Sequence, residues 1–299
     1  MHFPPRACFS IPLPCGSSLL LGGRPLVMGV INVTPDSFAS GALISPEQAV
    51  DIALEMQAHG ADLLDLGGES TRPGSPPVTV DEERARVIPA ITAVVKRVRI
   101  PVSVDTYKAV VAREALSAGA EIVNDISGLQ YDAGMGQAVA AAGGALIVMH
   151  TRGRSRSMYA QAHYDNLHAE VVAELELAIE RAVTAGVPRE AVIVDPGIGF
   201  AKRPEHSYGV LAAVSELSLA LGRPVIVGPS RKSFMSDALS GRPALERDWG
   251  TAAAVTAAVM GGAHIVRVHA VSQMVQVVRV AEQIRRHAAT PGHPDLDTL

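Results

Sequence analysis

Cysteine is almost absent from this sequence: of 299 residues only Cys8 and Cys15 carry a thiol, both in the N-terminal segment. They are too few and too localised for a disulfide framework or a zinc site, and are expected to be buried or inert. A reducing cytoplasm is the simplest home for such a chain. Positive charge is also short. With a formal net charge of -4 and a pI near 6.2, nothing attracts nucleic acid or anionic lipid over long range. No stretch reaches the ~18 uninterrupted apolar residues of a membrane span. Pro4, Pro5, Pro12 and Pro14 break the first apolar runs, which makes a poor signal peptide. Aromatics are only 4%, so the 48% hydrophobic content rests on Ala, Val, Leu and Ile, which suit helices packed on buried parallel strands.

What is present is a rhythm. Short apolar runs occur at 26–31, 63–66, 101–104, 122–123, 145–149, 192–194, 225–227 and 265–268, each followed by a Gly, Pro or polar cluster and then by helical periodicity. Strand then helix, eight times, predicts a parallel sheet covered by helices. The mean step is roughly 34 residues, close to the ~30 of a βαβ unit. With no linker between units, this predicts one closed (β/α)8 TIM barrel of the α/β class. An open doubly wound sheet would place a Gly-rich fingerprint after its first strand, and Asn32-Val33-Thr34-Pro35-Asp36-Ser37-Phe38 lacks it.

The chain therefore divides into an N-terminal segment (1–24), the barrel (25–288) and a flexible tail (289–299). Within the first part, residues 8–23 read as a short hairpin or extended stretch plugging the barrel's N-terminal end. Ser45 followed by Pro46 opens one helix; the Ala-rich stretches 110–118 and 251–260 form others, and the last helix is expected at 272–287.

In such a barrel, chemistry sits at the C-terminal ends of the strands. The residues there are polar almost every time: Asn32, then Glu69-Ser70-Thr71-Arg72, Asp105, Asn124-Asp125, His150 after Met149, Asp195, Ser230-Arg231-Lys232-Ser233, and Arg267 with His269. Any one of these is as readily a turn former or helix cap. Together they predict one polar mouth. Asp105, Asn124, Asp195 and Lys232 suit a flat heterocycle with both donors and acceptors, with Met149 and the Arg267 stem against its faces. Asn32, Arg267 and His269 suit an anion. The stretch Gly228 to Ser233 is expected to open a helix whose free N–H groups attract a second one. Asp65 lies inside its run, so a structural role beneath the mouth competes with ligand contact. Asp125, His150 and Asp36 fit turn and loop hydrogen bonds. The basic stretch 151–157 reads as a mobile loop, because no aromatics interleave with its arginines.

Met28-Gly29-Val30-Ile31-Asn32-Val33-Thr34-Pro35-Asp36-Ser37-Phe38 resembles the opening signature of the dihydropteroate synthase family. Asp65-Leu66-Gly67-Gly68-Glu69-Ser70-Thr71-Arg72-Pro73-Gly74 resembles its second. Val104-Asp105-Thr106, Val123-Asn124-Asp125-Ile126, Asp195-Pro196-Gly197-Ile198-Gly199-Phe200, Ser230-Arg231-Lys232-Ser233 and Arg267-Val268-His269 resemble the later motifs, in the same order. The resemblance covers about residues 26–285.

It implies a transferase that condenses 6-hydroxymethyl-7,8-dihydropterin pyrophosphate with p-aminobenzoate, giving 7,8-dihydropteroate and pyrophosphate by dissociative substitution at the pterin methylene carbon. It further implies that Asp105, Asn124, Asp195 and Lys232 bind the pterin ring, between Met149 and Arg267, with Ile126 and Gly228 in the same pocket. Asn32 would coordinate Mg2+ on the pyrophosphate, which Arg267 and His269 would hold as it leaves. Thr71, Arg72, Pro73, Phe200, Lys232 and Ser233 would shape the p-aminobenzoate pocket, where sulfonamides compete. Catalysis would fall to Asn32, Asp105, Lys232, Arg267 and His269. A homodimer through the late barrel helices is implied as well.

Two places depart from the family pattern: Ala39-Ser40-Gly41-Ala42 stands where Ser-Asp-Gly-Gly is usual, and Ala270 where an Asp often follows the last His. A methyltetrahydrofolate-dependent methyltransferase domain and a non-catalytic pterin-binding paralogue are the competing readings. Thr71-Arg72-Pro73 and Ser230-Arg231-Lys232-Ser233 oppose the first, while Asn32, Arg267 and His269 oppose the second.

Overall fold

A computed structural model describes residues 3, 5–34, 43–70 and 74–288. The expected tail, the departure at 39–42, Asp36, and Thr71, Arg72 and Pro73 lie outside the described residues.

The chain opens with an antiparallel hairpin, β1 (Phe9–Pro12) and β2 (Ser18–Leu21), paired from Phe9 opposite Leu21 to Pro12 opposite Ser18. Eight parallel strands follow: β3 (Leu26–Asn32), β4 (Leu63–Gly67), β5 (Val102–Asp105), β6 (Ile122–Asp125), β7 (Ala145–Met149), β8 (Val192–Asp195), β9 (Ile226–Val227) and β10 (Ile265–Val268). They neighbour one another in chain order, with β10 pairing both β9 and β3. The ring closes between β8 and β9 through a parallel bridge from Val194 to Val225, where Val194 N donates to Pro224 O at 3.0 Å. This is the TIM barrel expected from the eightfold rhythm.

Helices α1 (Pro46–Ala58), α2 (Val80–Val94), α3 (Ala109–Ser117), α4 (Met135–Ala142), α5 (Leu167–Thr184), α6 (Pro204–Ala212), α7 (Val214–Leu221), α8 (Asp248–Met260) and α9 (Val271–Ala288) form the outer ring. The start of α1 shows the local logic. Ser45 Oγ accepts from Gln48 N at 3.3 Å while Gln48 Oε1 accepts from Ser45 N at 2.8 Å, and Pro46 occupies the first helical position, where no N–H is needed. Among the described residues no helix is long and apolar enough to cross a membrane.

Side chains along a strand alternate between the barrel interior and the helices. Outward residues such as Ile31, Leu64, Val104, Val148, Val194 and Val266 join the helices in one apolar cluster. The inward residues at the strand starts, among them Met28, Leu63, Ile122, Ile147, Ile193, Ile226 and Ile265, form a second cluster with Ile11, Leu13, Leu19 and Leu21 of the hairpin. The hairpin therefore seals the N-terminal end of the barrel, and fully burying a side chain such as Ile11 contributes about 1.5–3 kcal/mol. Arg6 reinforces the seal by donating to Ala263 O at 3.0 Å and pairing with Glu282 at 2.9 Å.

Three expectations need correction. Strands β3, β4, β5, β6 and β8 run one or two residues beyond their apolar runs, so Asn32, Asp105, Asn124 and Asp195 sit at the strand ends as expected but pair in the ladder, and the turn-former alternative for them fails. The helix expected to open at Gly228–Ser233 is a single 3-10 turn (Ser233–Met235), because Ser240, Gly241 and Pro243 deny it continuation and the next helix starts only at Asp248. Cys8 is exposed, so burial, one of the two alternatives expected for it, fails.

Candidate active site

Alternation continues to the C-terminal ends of the strands, where the inward positions change from apolar to polar. In β4, β5, β6 and β10 they are Asp65, Asp105, Asn124 and Arg267, and these four connect. Arg267 Nε donates to Asp65 Oδ2 at 2.6 Å and its Nη2 to Asp105 Oδ2 at 2.8 Å; Asn124 Nδ2 donates to Asp65 Oδ2 at 3.0 Å. Asp65 is fully buried and lies outside the cavity lining; its Oδ2 serves Arg267 and Asn124, while its Oδ1 accepts no hydrogen bond among the described residues.

Asp105 and Asn124 form the wall of a cavity of about 250 Å³ at the barrel mouth. Asp105 Oδ1 is buried and accepts no hydrogen bond among the described residues. Burial raises its carboxyl above the ordinary range, with Arg267 pulling the other way. Asp195, opposite, is raised by burial against the pull of Lys232, and its Oδ1 accepts from Gly197 N at 2.7 Å.

Lys232 reaches in from the loop after β9. Its Nζ donates to Ile198 O at 2.6 Å and sits 4.7 Å from the centre of the Phe200 ring. Burial pushes this ammonium down to about 8, opposed by Asp195. His269 is oriented by Ser230, whose Oγ lies 2.9 Å from Nδ1 and also accepts from His269 N at 3.2 Å.

All twelve described residues expected in the site line this one cavity: Asn32, Asp105, Asn124, Ile126, Met149, Asp195, Phe200, Gly228, Lys232, Ser233, Arg267 and His269. Glu69, Ser70, Ser230 and Arg231, read as strand-end polar residues but given no ligand role, join them, as do Val30, Thr34, Gly199, Ala244 and Arg247. Glu69 carried a signal, since it sits in the second polar cluster; Tyr107 Oη donates to it at 2.7 Å and Lys108 Nζ at 2.6 Å. Arg247 carried none. The course of the chain after β9 brings it to the cavity, where its Nε donates to Arg242 O at 2.7 Å and its Nη1 to Arg231 O at 3.2 Å.

Asp125 accepts from Ser127 N and Leu129 N at 2.8 Å each, as expected of a loop former. Two of the three arginines of 151–157 have partners outside the stretch. Arg152 stacks 4.2 Å from the Tyr164 ring and bonds Glu170 and Glu174, and Arg154 lies 4.2 Å from Tyr131. These aromatics come from elsewhere in the chain, so local composition could not disclose them.

The family model described as pterin binding enzyme matches residues 28–269. The chain belongs to the pterin-binding enzyme family. It is 42% identical over 287 residues to the dihydropteroate synthase of a Synechocystis species, covering 95% of this chain and 97% of that one. The Escherichia coli dihydropteroate synthase is 42% identical over 268 residues, covering 89% and 94%. Among solved structures, the Yersinia pestis dihydropteroate synthase with a sulfonamide drug complex superimposes with a TM-score of 0.87 at 39% identity, covering 93% of this chain and all of that one. The Xanthomonas albilineans dihydropteroate synthase with 4-aminobenzoic acid gives 0.84 at 39%, covering 94% and 100%. With such relatives, this member of the pterin-binding family is a transferase of folate synthesis.

Replacing Asp65 by Ala removes the carboxylate that Arg267 and Asn124 share. Breaking a buried pair in this way should cost about 3 kcal/mol of folding stability, read from urea unfolding of the variant against the parent. A loss below about 1 kcal/mol, the range of an exposed pair, would mean that Asp105 alone satisfies Arg267.

Proposed function

We propose that the chain condenses 6-hydroxymethyl-7,8-dihydropterin pyrophosphate with p-aminobenzoate to give 7,8-dihydropteroate and pyrophosphate. The observation that carries this reading is the unpartnered Asp105 Oδ1, buried at the cavity wall beside Asn124. A buried carboxylate oxygen left unpaired is costly, and the N–H edge of a pterin ring supplies the donor it lacks. Asp195 and Lys232 face the same space with an acceptor and a cation, and Met149 offers a polarizable face. Relatives solved with 4-aminobenzoic acid and with an indole carboxylate plus 6-chloroguanine support an arylamine site beside a heterocycle site.

In the substitution, the bond between the methylene carbon and the pyrophosphate oxygen breaks first. The arylamine nitrogen then forms the new C–N bond and releases one proton. Asp105 and Asp195 stabilise positive charge that spreads into the ring as the leaving group departs. Arg267 spends Nε and Nη2 on Asp65 and Asp105, so Nη1 is the nitrogen that turns to the ligand. His269, oriented by Ser230, meets the departing anion. Phe200, Lys232 and Ser233 border the arylamine, joined in this reading by Thr71, Arg72 and Pro73.

Among the described residues no three His, Cys, Asp or Glu side chains gather as a metal cage. Mg2+ carried on a pyrophosphate needs none, because it takes phosphate oxygens and waters plus one or two protein ligands. Asn32, with a neutral oxygen donor at the cavity wall, fits that part. The ion would neutralise charge on the leaving pyrophosphate.

A cytoplasmic homodimer belongs to the same reading. The elements after β8 and β9 expose Leu219, Leu245 and Trp249 at 71%, 77% and 89%. Sedimentation velocity should give a dimer that Trp249→Lys weakens; a monomeric parent would remove this part.

The deciding experiment measures pyrophosphate release from the pterin substrate with Mg2+, with and without p-aminobenzoate. Release coupled to dihydropteroate formation is expected, and pterin binding without release would instead make the chain a binder. The Lys232 ammonium, down near 8, also sets a pH limb. Its charged form attracts the p-aminobenzoate carboxylate, so kcat/KM for that substrate holds below pH 8 and falls as pH rises through it, by up to about tenfold per unit. Lys232→Arg keeps its charge and should flatten the limb; an unchanged limb in that variant would assign it to another group.

A further inference from the structure

The loop that follows β8 carries two of the contacts made by Lys232, and its shape is unusual. Gly197, Gly199 and Ala201 have φ of +70°, +77° and +48°. Ala201 bears a Cβ in a conformation that L side chains rarely adopt, so neighbours must hold it there. A Cβ at Gly197 would lie 1.9 Å from His150 O, which shows how closely the loop is laid against the end of β7.

The side chain beneath this loop is Lys202, 1% exposed and among the largest fully buried side chains of the chain. Its Nζ lies 2.6 Å from His150 Nδ1 and 3.3 Å from Phe200 O. Burial lowers the Lys202 amine to about 7; in its charged form it donates to the Nδ1 lone pair, which puts the proton of a neutral His150 on Nε2, 3.1 Å from Glu174 Oε2. Glu174 is in turn held by Arg152 Nε at 3.0 Å. A line of polar contacts thus runs from α5 through the end of β7 into the loop. The Tyr164 ring closes the space, its centre 6.0 Å from Nζ and its hydroxyl donating to Ala201 O at 2.9 Å.

Burying an ammonium is expensive, and for packing alone an apolar side chain of the same length would serve better. What the ammonium adds is direction, since its hydrogen bonds fix the carbonyl of Phe200. From the same loop, Ile198 O accepts from Lys232 Nζ and the Phe200 ring stands beside it. We infer that Lys202 is a positioning residue for the arylamine side of the site: without touching a ligand, it sets the 196–202 loop so that Ile198 O and the Phe200 ring hold Lys232 in place. The identity of that ligand rests on the reading above; the loop-holding role does not.

The test pairs two readouts on the full chain, comparing Lys202→Met with the parent. Hydrogen exchange of peptides spanning 196–203 should speed up at least tenfold while peptides of β3 to β6 keep their protection. KM for p-aminobenzoate should rise about tenfold, with KM for the pterin pyrophosphate within twofold. His150→Gln, which removes the ring that accepts the ammonium, should loosen the same peptides and carries the test should Lys202→Met fail to fold. Unchanged loop exchange, or exchange and both KM values rising together across the molecule, would falsify the positioning role. A parent chain that fails to condense its substrates would count against the proposed function alone, because loop exchange still decides what Lys202 does.

Discussion

The guanidinium of Arg267, gripped by Asp65 below and Asp105 beside it, is the interaction on which the architecture of the mouth depends. It ties β10 to β4 and β5, and through Asp65 to Asn124 of β6, so four strands meet at one polar knot. Such a knot contributes little net stability, since taking each ion out of water costs several kcal/mol that pairing only repays. Its value lies in orientation. With Oδ2 of Asp105 committed to the cation, Oδ1 is left as a buried acceptor without a partner among the described residues.

The two ends of the barrel interior are therefore built on opposite principles. At the strand starts, Met28, Leu63, Ile193 and Ile265 pack with the hairpin into a dry cluster that excludes water and polar groups alike. At the strand ends the same inward positions carry charge, kept from collapse by mutual hydrogen bonds. The apolar plug supplies the rigidity, and the polar layer above it gains preorganised geometry from that rigidity. The segments between strands and helices do the remaining positioning: the β8 loop backs Lys232, and the chain after β9 brings Arg247 to the cavity.

The barrel was legible because its cause is local. Apolar runs at regular steps must become buried strands, and the stretches between them have the caps and periodicity of helices. Strand limits were less legible. Asn32 and Asp195 ended their runs by composition, yet they pair in the ladder, since backbone bonding ignores what a side chain carries. The helix expected near Ser233 failed because one turn of favourable sequence cannot pay nucleation once Ser240, Gly241 and Pro243 follow.

By itself the sequence determined the fold class and an N-terminal plug, hairpin or extended, because period-two alternation and barrel closure convert a strand end directly into a position at the mouth; Ile126 and Phe200 were marked by the family resemblance instead. Tertiary structure alone decided the partners. That Asp65 would serve Arg267 and Asn124, that Lys202 would reach His150, and that Arg152 would lie on Tyr164 all depend on side chains separated by many residues along the chain. Such contacts exist only once the helices have packed, because directional hydrogen bonds of about 3 Å follow from relative placement and leave no periodic trace in sequence.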